Sequence, residues 1–296
     1  SQRDVDYECF IFDNASTDRT VALLTKTGQL NLHASRRNIG YASAHNANLA
    51  RSDSEYFVAL NADIRFSSDM LRKLVAHLDG NPAEAIAGPT VLEGDRMKPF
   101  PPRRFYPGEG MIPLGPEVTR HERAWINGCC MIIRRSSLEE VNGFDEDYFL
   151  YQAETDLCLR LRRAGYRVGH CKDVAVHHLH RQSQRGISEY EYGRRLYKGS
   201  SIFWRKHYSP TDVAAIARFQ HRLCDLFLNL HMPLHKLTKR AAFARDRLRA
   251  RRDICAELLD TPQLRGQPAR LRPIALRQSW LAIESIRQRG FPLDDY

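Results

Sequence analysis

The chain has 296 residues, 43% of them hydrophobic, which is enough for one large domain or two smaller ones with a buried core. No uninterrupted apolar run approaches the roughly 20 residues that cross a bilayer, so the composition excludes a polytopic membrane protein. Seven cysteines without a C-x-x-C pair indicate neither a disulfide framework nor a zinc ribbon and favour a reducing, cytoplasmic location, and 45 Lys and Arg against 35 Asp and Glu give a formal net charge of +10.

Short apolar runs alternate with helical patterns in the first part of the chain. Strand-length apolar runs cover residues 7–13, 55–60 and 124–135. Helical spacing follows the first of them behind a polar turn, with Ser16 or Thr17 as the predicted helix cap. This alternation predicts an α/β fold with a mainly parallel sheet covered by helices on both faces. Ligands of such sheets collect at the carboxyl ends of the strands, where Asp13 and Asp63 lie.

The rest of the chain shows a change of pattern. Residues 93–123 are rich in proline and glycine, which predicts a loop over the sheet edge. From about Ser188 the pattern is almost wholly helical, and most of the basic excess lies in this part. We therefore predict an α/β domain over residues 1–205 and a helical, basic C-terminal extension over residues 206–296.

Six polar segments lie at the ends of the predicted strands and helices. They are FDNASTD, RNIGYASAHN, LNADI, NGCCMIIRR, GFDEDYFLYQAETDLCLR and HHLHRQS. With these segments the chain resembles family 2 glycosyltransferases of the GT-A fold, especially bacterial rhamnosyltransferase-like members, over about residues 7–185. The resemblance implies an inverting, metal-assisted transfer of a sugar from a nucleotide-sugar donor to a saccharide or lipid-linked acceptor of the cell envelope.

The segment LNADI is the candidate metal site. Asn61 and Asp63 are two residues apart at a strand end, so both side chains leave the same side of the sheet. The resemblance implies that Asp63 binds Mg²⁺ or Mn²⁺, which bridges the donor diphosphate, and that His178 of HHLHRQS is a late metal ligand, with His177 as the alternative. Taken alone, the N-x-D pattern is equally a polar strand end.

Two further segments resemble the part of the family that holds the nucleotide. In FDNASTD, the resemblance gives Asp13 and Asn14 contacts to the nucleoside, while Ser16 and Asp18 are expected to cap the next helix. In RNIGYASAHN, Gly40 allows close passage of the backbone beside the diphosphate and Asn38 donates hydrogen bonds to it. The predicted nucleotide-binding residues are Asp13, Asn14, Asn38, Gly40 and Asn61.

The acceptor side is predicted from GFDEDYFLYQAETDLCLR. Sugar transfer needs a base that takes the proton of the acceptor hydroxyl, and a carboxylate does this. The family pattern Tyr-x-Glu-Asp-x-Asp-Leu departs here to Ala153 and Glu154, so Glu154 is the predicted base. Asp156 is the second candidate catalytic acid, with the alternatives that it orients the helix or binds Arg160, or that both acids are ordinary first-turn residues.

The donor sugar and acceptor pocket is predicted from the segment WINGCC. The resemblance implies that Asn127 and Gly128 line the pocket. Trp125 either stacks on a sugar ring or belongs to the core.

Both ends of the chain carry expectations. Family members begin with an apolar strand before the one that ends in Asp13, so we expect an N-terminally shortened domain whose first strand is missing. Near the other end, apolar residues between Phe219 and Leu230 recur at helical spacing among basic residues. This helix either packs on the catalytic domain or lies on the anionic inner face of a membrane through residues 211–240.

Three functions compete. A nucleotide-sugar-dependent glycosyltransferase explains the six segments. A non-catalytic glycosyltransferase-like binding or partner domain is the alternative, because the first acid of the base motif is Ala153. A nucleic-acid-binding protein ranks last, since the net charge is its sole support and no recognition motif accompanies it, so no nucleic acid partner is expected.

Overall fold

The structure is a computed structural model that describes residues 5–28, 31–94, 97–100, 103–114, 123–179, 186–231 and 239–266. The chain divides into two compact units. The described residues up to Arg104 and from 123 to 179 form the first unit, and the second contains the segment that begins at Phe105 and the described residues from 186 onward. The predicted boundary at residues 205 and 206 stays a prediction.

The first unit begins with a parallel two-stranded ribbon. Strand β1 (Phe10–Asp13) pairs with β2 (Asn31–Ala34), and α1 (Thr20–Lys26) connects them. Ser16 and Thr17 are not the N-cap of α1, which is Arg19. Asp18, also expected to cap this helix, does accept the N–H of Thr20 with its carboxylate, at 2.9 Å. Helix α2 (Tyr41–Leu49) follows β2 and packs on β1.

A six-stranded sheet forms the centre of the first unit. Its strands are β3 (Tyr56–Leu60), β4 (Ile64–Arg65), β5 (Glu84–Glu93), β6 (Lys98–Pro99), β7 (Cys130–Arg134) and β8 (Arg167–His178). The strand order is β3-β7-β5-β8-β4, with β6 paired to β5. In this sheet only β5 and β8 pair in parallel among the described strands, so the expected mainly parallel arrangement is corrected to a mixed sheet. Strand β7 follows a long proline-rich segment rather than a crossover helix, which leaves it able to run antiparallel to both neighbours.

Helices cover this sheet with narrow apolar stripes. Helix α3 (Met70–Asp79) buries Met70, Leu74 and Leu78, which recur every four residues and therefore share one face. They pack against strand residues such as Ile132 of β7, and burial of each such side chain contributes about 1.5–3 kcal/mol. The short α4 (Arg135–Glu140) and α5 (Ala153–Arg163) complete the unit.

The described part of the second unit contains three helices, α6 (Glu189–His207), α7 (Pro210–His231) and α8 (Lys239–Leu259). Ser188 caps α6, and its hydroxyl accepts the N–H of Glu191. Cys224 and Leu228 of α7 are buried with Leu248 of α8.

The apolar stripe of α7 is only partly covered. Phe219 and Leu223 are half-buried, Phe227 packs beside the buried cluster, and Leu226 is 50% exposed. The side chain of Leu230 lies outside the described part. Within the described residues, no helix combines the length and the apolar character that crossing a membrane requires.

Candidate active site

The side-chain amide of Asn14 joins the end of β1 to the loop before α2. Asp13 is almost fully buried, and its carboxylate accepts the N–H of Ser16 at 3.0 Å. The Asn14 amide donates to the carbonyl of Gly40 at 3.0 Å and accepts the N–H of Ile39 at 2.9 Å. Asn14 thus clamps the loop before α2.

The loop before α2 packs directly on the loop before α5. Gly40 has φ +89°, and a methyl group there would lie 2.6 Å from the carbonyl oxygen of Phe149. The same carbonyl accepts the N–H of Tyr41 at 2.8 Å. Phe149 itself is 53% exposed. A glycine is therefore required at position 40 by both the backbone angle and the space.

Tyr41 connects this corner to the candidate base. Its hydroxyl donates to the carbonyl of Gly128 at 2.7 Å. A methyl group at Gly128 would lie 3.2–3.3 Å from the side chain of Glu154, so the Glu154 side chain lies flat against the Gly128 backbone. Burial raises the pKa of Tyr41 well above its ordinary value, and the nearby Glu154 carboxylate raises it further, so Tyr41 remains a hydrogen-bond donor.

Glu154 lies in the first turn of α5 and is partly buried. Burial raises its pKa from 4.5 to about 7, because a carboxylate loses hydration there. A carboxyl group with this pKa exchanges its proton near neutral pH, which suits a general base.

Asp156 has a different environment from Glu154. It is fully buried, and its carboxylate accepts from Arg160 Nε at 2.6 Å and from the Tyr148 hydroxyl at 3.3 Å. Arg160 also donates to the carbonyl of Val141 at 2.6 Å. Asp156 therefore ties α5 to the segments before it and offers no exposed surface to a substrate.

Asp63 and His178 lie side by side where β4 meets β8. His178 Nε2 is 3.2 Å from the Asp63 carboxylate, and His178 Nδ1 is 3.9 Å from Glu93 at the end of β5. His177 turns to the Gly94 carbonyl, at 2.9 Å, so His178 is the histidine beside Asp63. Among the described residues, no three His, Cys, Asp or Glu side chains form a ready metal cage.

The predicted sugar pocket residues lie between these two corners. Asn127 donates from Nδ2 to Glu93 at 3.3 Å and accepts the N–H of Cys129 at 3.0 Å. Cys129 in turn accepts the N–H of Asn61 through its carbonyl, at 2.9 Å. Asn61 and Asn127 are therefore held by the same short stretch of backbone.

Trp125 is partly buried beside other side chains. Its ring packs edge-on against Phe100, with the ring centroids 6.0 Å apart, and the Arg103 guanidinium lies 5.7 Å from its centroid. These contacts support the core alternative for Trp125, although part of its surface stays exposed.

The structure thus brings many of the predicted residues into one chain of contacts within the first unit, running from Asn14 and Gly40 through Gly128 and Asn127 to His178 and Asp63. Asp156 and Trp125 are outside it. Sequence reasoning missed three members of that chain. They are Tyr41, Glu93 and Phe149. Glu93 ends a strand, as Asp13 does, and this position was a usable signal, whereas nothing local marks the contacts of Tyr41 and Phe149.

A family comparison identifies the first half of the chain. The family model for glycosyl transferase family 2 matches residues 1–141. The chain carries a family 2 glycosyltransferase domain. This confirms the resemblance on which the site prediction was based.

Relatives of this glycosyltransferase include two bacterial rhamnosyltransferases. The N-acetylglucosaminyl-diphospho-decaprenol L-rhamnosyltransferase of Mycobacterium tuberculosis is 26% identical over 229 residues, which are 67% of this chain and 74% of that protein. The rhamnosyltransferase WbbL of Escherichia coli is 27% identical over 175 residues, 50% of this chain and 65% of that protein. The chain is therefore a nucleotide-sugar-dependent glycosyltransferase.

A solved structure confirms the fold of the glycosyltransferase. The mannosyltransferase PcManGT of Pyrobaculum calidifontis, solved with GDP-Man and Mn²⁺, superposes with a TM-score of 0.54 at 17% identity, over 86% of this chain and 78% of that one. The predicted GT-A fold with C-terminal helices is confirmed.

Proposed function

We propose that this glycosyltransferase moves a rhamnose-like hexose, with inversion, from a nucleotide-sugar donor to a saccharide or lipid-linked acceptor of the cell envelope. The observation that carries the proposal is Glu154, a carboxyl group with a raised pKa that lies against Gly128 and is connected through Tyr41 to the loop at Gly40. The rhamnosyl donor and the lipid-linked acceptor follow the names of the relatives.

Glu154 acts as the general base in this proposal. The ionised carboxylate takes the proton of the acceptor hydroxyl while that oxygen attacks the anomeric carbon from the side opposite the diphosphate, which inverts the configuration. Gly128 supports Glu154, and we assign Asp156 to positioning, because its carboxylate is bound to Arg160 and Tyr148.

Asp63 and His178 are the residues that would hold a divalent cation. One carboxylate and one imidazole 3.2 Å apart fit a cation that takes its other ligands from a substrate diphosphate, and the imidazole favours Mn²⁺ over Mg²⁺. When bound, the cation supplies positive charge to the departing nucleoside diphosphate.

The nucleotide is assigned to the other end of the same chain of contacts. Asp13, Asn14 and the loop of Asn38 and Gly40 form its floor, with Asn61 beside the diphosphate.

The test is a donor screen with the whole chain. UDP-, GDP- and dTDP-sugars are incubated with and without Mn²⁺, and nucleoside diphosphate release is measured. We expect Mn²⁺-dependent turnover of at least one donor and loss of that dependence in Asp63→Asn. Asp53→Asn is the matched control, because Asp53 is exposed and precedes the start of β3, whereas Asn61 and Asp63 follow the end of that strand.

A non-catalytic binding domain remains the second candidate, since Ala153 replaces the first acid of the base motif. It predicts donor or saccharide binding without release of nucleoside diphosphate under any condition of the same screen. Binding without turnover would therefore replace our proposal with this one.

The helical C-terminal region supplies the proposed site of membrane contact on the cytoplasmic face. Leu226 on α7 and Phe243 on α8 are 50% and 39% exposed, and Arg222 and Arg249 are exposed on the same two helices. Exposed apolar and basic side chains together are typical of peripheral binding to an anionic bilayer, where lipid-linked acceptors reside.

A further inference from the structure

We infer that Glu93 is a positioning residue that orients His178 on one side and Asn127 on the other. The inference rests on the proposed role of His178 and Asp63 in holding a divalent cation. Neither the sequence motifs nor that proposed function uses Glu93.

The sheet itself brings Glu93 to this place. Glu93 is the last residue of β5 and is in register with His178 of the parallel strand β8, while His178 is also in register with Ile64 of β4. The β4 strand begins directly after Asp63. Three strands therefore deliver Asp63, His178 and Glu93 to one edge of the sheet.

The two carboxylates approach opposite nitrogens of one imidazole ring. Asp63 is 3.2 Å from Nε2, and Glu93 is 3.9 Å from Nδ1. If Asp63 and His178 Nε2 hold a cation, as proposed, Glu93 would lie on the opposite side of the imidazole ring. This geometry indicates that Glu93 orients the His178 ring and is not itself a ligand of the cation.

Support of this kind has a defined chemical effect. A histidine that ligates a metal normally donates its other ring N–H to a carboxylate or a carbonyl, which fixes the tautomer and the ring orientation and makes the ligating nitrogen more basic. The Glu93 carboxylate lies 3.9 Å from Nδ1, beyond hydrogen-bond distance, and it would become the acceptor for Nδ1–H when the lone pair of Nε2 holds a cation. The Glu93 side chain is 30% exposed, so its charge retains part of its hydration.

The second contact extends this effect toward the sugar pocket. Asn127 Nδ2 donates to the Glu93 carboxylate at 3.3 Å. The Glu154 side chain packs against Gly128, the residue after Asn127. One carboxylate thus fixes a proposed cation ligand and the backbone turn beside the proposed base.

The test compares two isosteric substitutions on the same strand. Glu93→Gln keeps the shape and an acceptor for Asn127 but removes the charge facing His178. Glu84→Gln is the matched control, because Glu84 begins β5 and pairs with another histidine, His77, at 2.8 Å. Calorimetry measures the affinities of UDP, GDP and dTDP with and without Mn²⁺.

We expect Glu93→Gln to lose 10- to 100-fold in Mn²⁺-dependent nucleotide affinity while its metal-free nucleotide affinity stays at the wild-type value. Glu84→Gln should change neither affinity. Unfolding temperatures of both variants check that the fold is retained. If the two variants show the same Mn²⁺-dependent affinity, the inference about Glu93 is wrong while the proposed cation site stands.

A spectroscopic measurement separates orientation from simple charge loss. With Mg²⁺ and the bound nucleotide, the Nδ1–H proton of His178 should resonate downfield in the wild type and move upfield in Glu93→Gln, because an amide oxygen accepts a weaker hydrogen bond than a carboxylate. An unchanged Nδ1–H resonance would overturn the inference. Nucleotide affinity that is independent of Mn²⁺ in the wild type would instead contradict the proposed cation site, and the inference with it.

Discussion

Glu154 shows how one residue's environment sets its chemistry. Two acids share the first turn of α5. The Asp156 carboxylate is paired with Arg160, whereas burial raises the pKa of Glu154 to about 7. A pair of carboxyl groups with such different surroundings is typical of an assignment to different tasks. The carboxylate of Glu154 is the one that can gain and lose a proton during turnover.

Replacement of the base should abolish transfer but not donor binding. We expect Glu154→Gln to reduce kcat by at least about 100-fold with little change in donor affinity, the scale usual for loss of a general base. In the wild type kcat/KM should rise with pH up to about 7 and then level off, because the carboxylate is the active form. Initial rates across pH 5–9 test this, with the exposed Glu55→Gln as control. A fully active Glu154→Gln enzyme would assign the base elsewhere.

The same raised pKa should make the folded protein less stable at neutral pH than near pH 4. The unfolded chain loses the Glu154 proton near pH 4.5 and the folded chain near 7, so wild-type stability falls as pH rises between these values and is level beyond them. The full difference is at most about 3 kcal/mol. Glu154→Gln should therefore have the same unfolding free energy as the wild type near pH 4 and a higher unfolding free energy than the wild type at pH 8. If the difference between the two proteins is the same at both pH values, Glu154 is not a buried carboxylate.

At the scale of elements, the loops before α2 and α5 act as one structure. Tyr151 and Gln152 both have left-handed backbone angles just before α5, with φ of 64° and 69°. Such angles cost about 1–3 kcal/mol each in residues other than glycine and persist where the surroundings enforce them. The Tyr41 N–H bond to Phe149 and the Asp156 N–H bond to Gln152 provide that enforcement.

The contact at Gly40 can be tested against Gly28, another glycine of positive φ. Gly28→Ala places a side chain at φ +69°, whereas Gly40→Ala places one at φ +89° and ψ 178°, a region that essentially only glycine adopts. Gly40→Ala also drives a methyl group into Phe149, while no described residue lies within 4 Å of a methyl group at Gly28. We expect Gly40→Ala to lose at least tenfold in nucleotide affinity by calorimetry and Gly28→Ala to bind normally. Equal affinities would show that the two loops are independent.

At the scale of the whole molecule, the sequence predicted what is local and missed what is not. The ordered segments identified the family and the GT-A fold, because each is a short strand end or helix start with its own pattern. The antiparallel insertion of β7 between β3 and β5 was not predictable, since periodicity carries no information about pairing partners.

The same limit applies to the site. His178 was predicted from its motif, but its position between Asp63 and Glu93 depends on the pairing of β4 and β5 with β8. The buried ion pair of Asp156 with Arg160 spans one helical turn and was among the alternatives, because residues four apart are neighbours on a helix.

The final prediction concerns membrane contact by the helical region. Arg247 and Arg251 of α8 are buried, so the count of basic residues in this region overstates the positive charge on its surface. Exposed basic residues still contribute about 1 kcal/mol each near an anionic surface, and this attraction weakens with salt. We expect the protein to co-sediment with anionic vesicles but not with neutral ones, and to be released by raised salt.

A double substitution of the exposed apolar residues tests which surface is responsible. Leu226→Gln with Phe243→Gln removes apolar side chains from α7 and α8 while leaving every charge in place. Leu23→Gln on α1 is the matched control, because Leu23 is 59% exposed in the other unit. Vesicle binding should fall several-fold in the double variant and persist in the control, since apolar insertion and charge attraction act together. Equal binding by the two variants would mean that α7 and α8 serve as a structural brace.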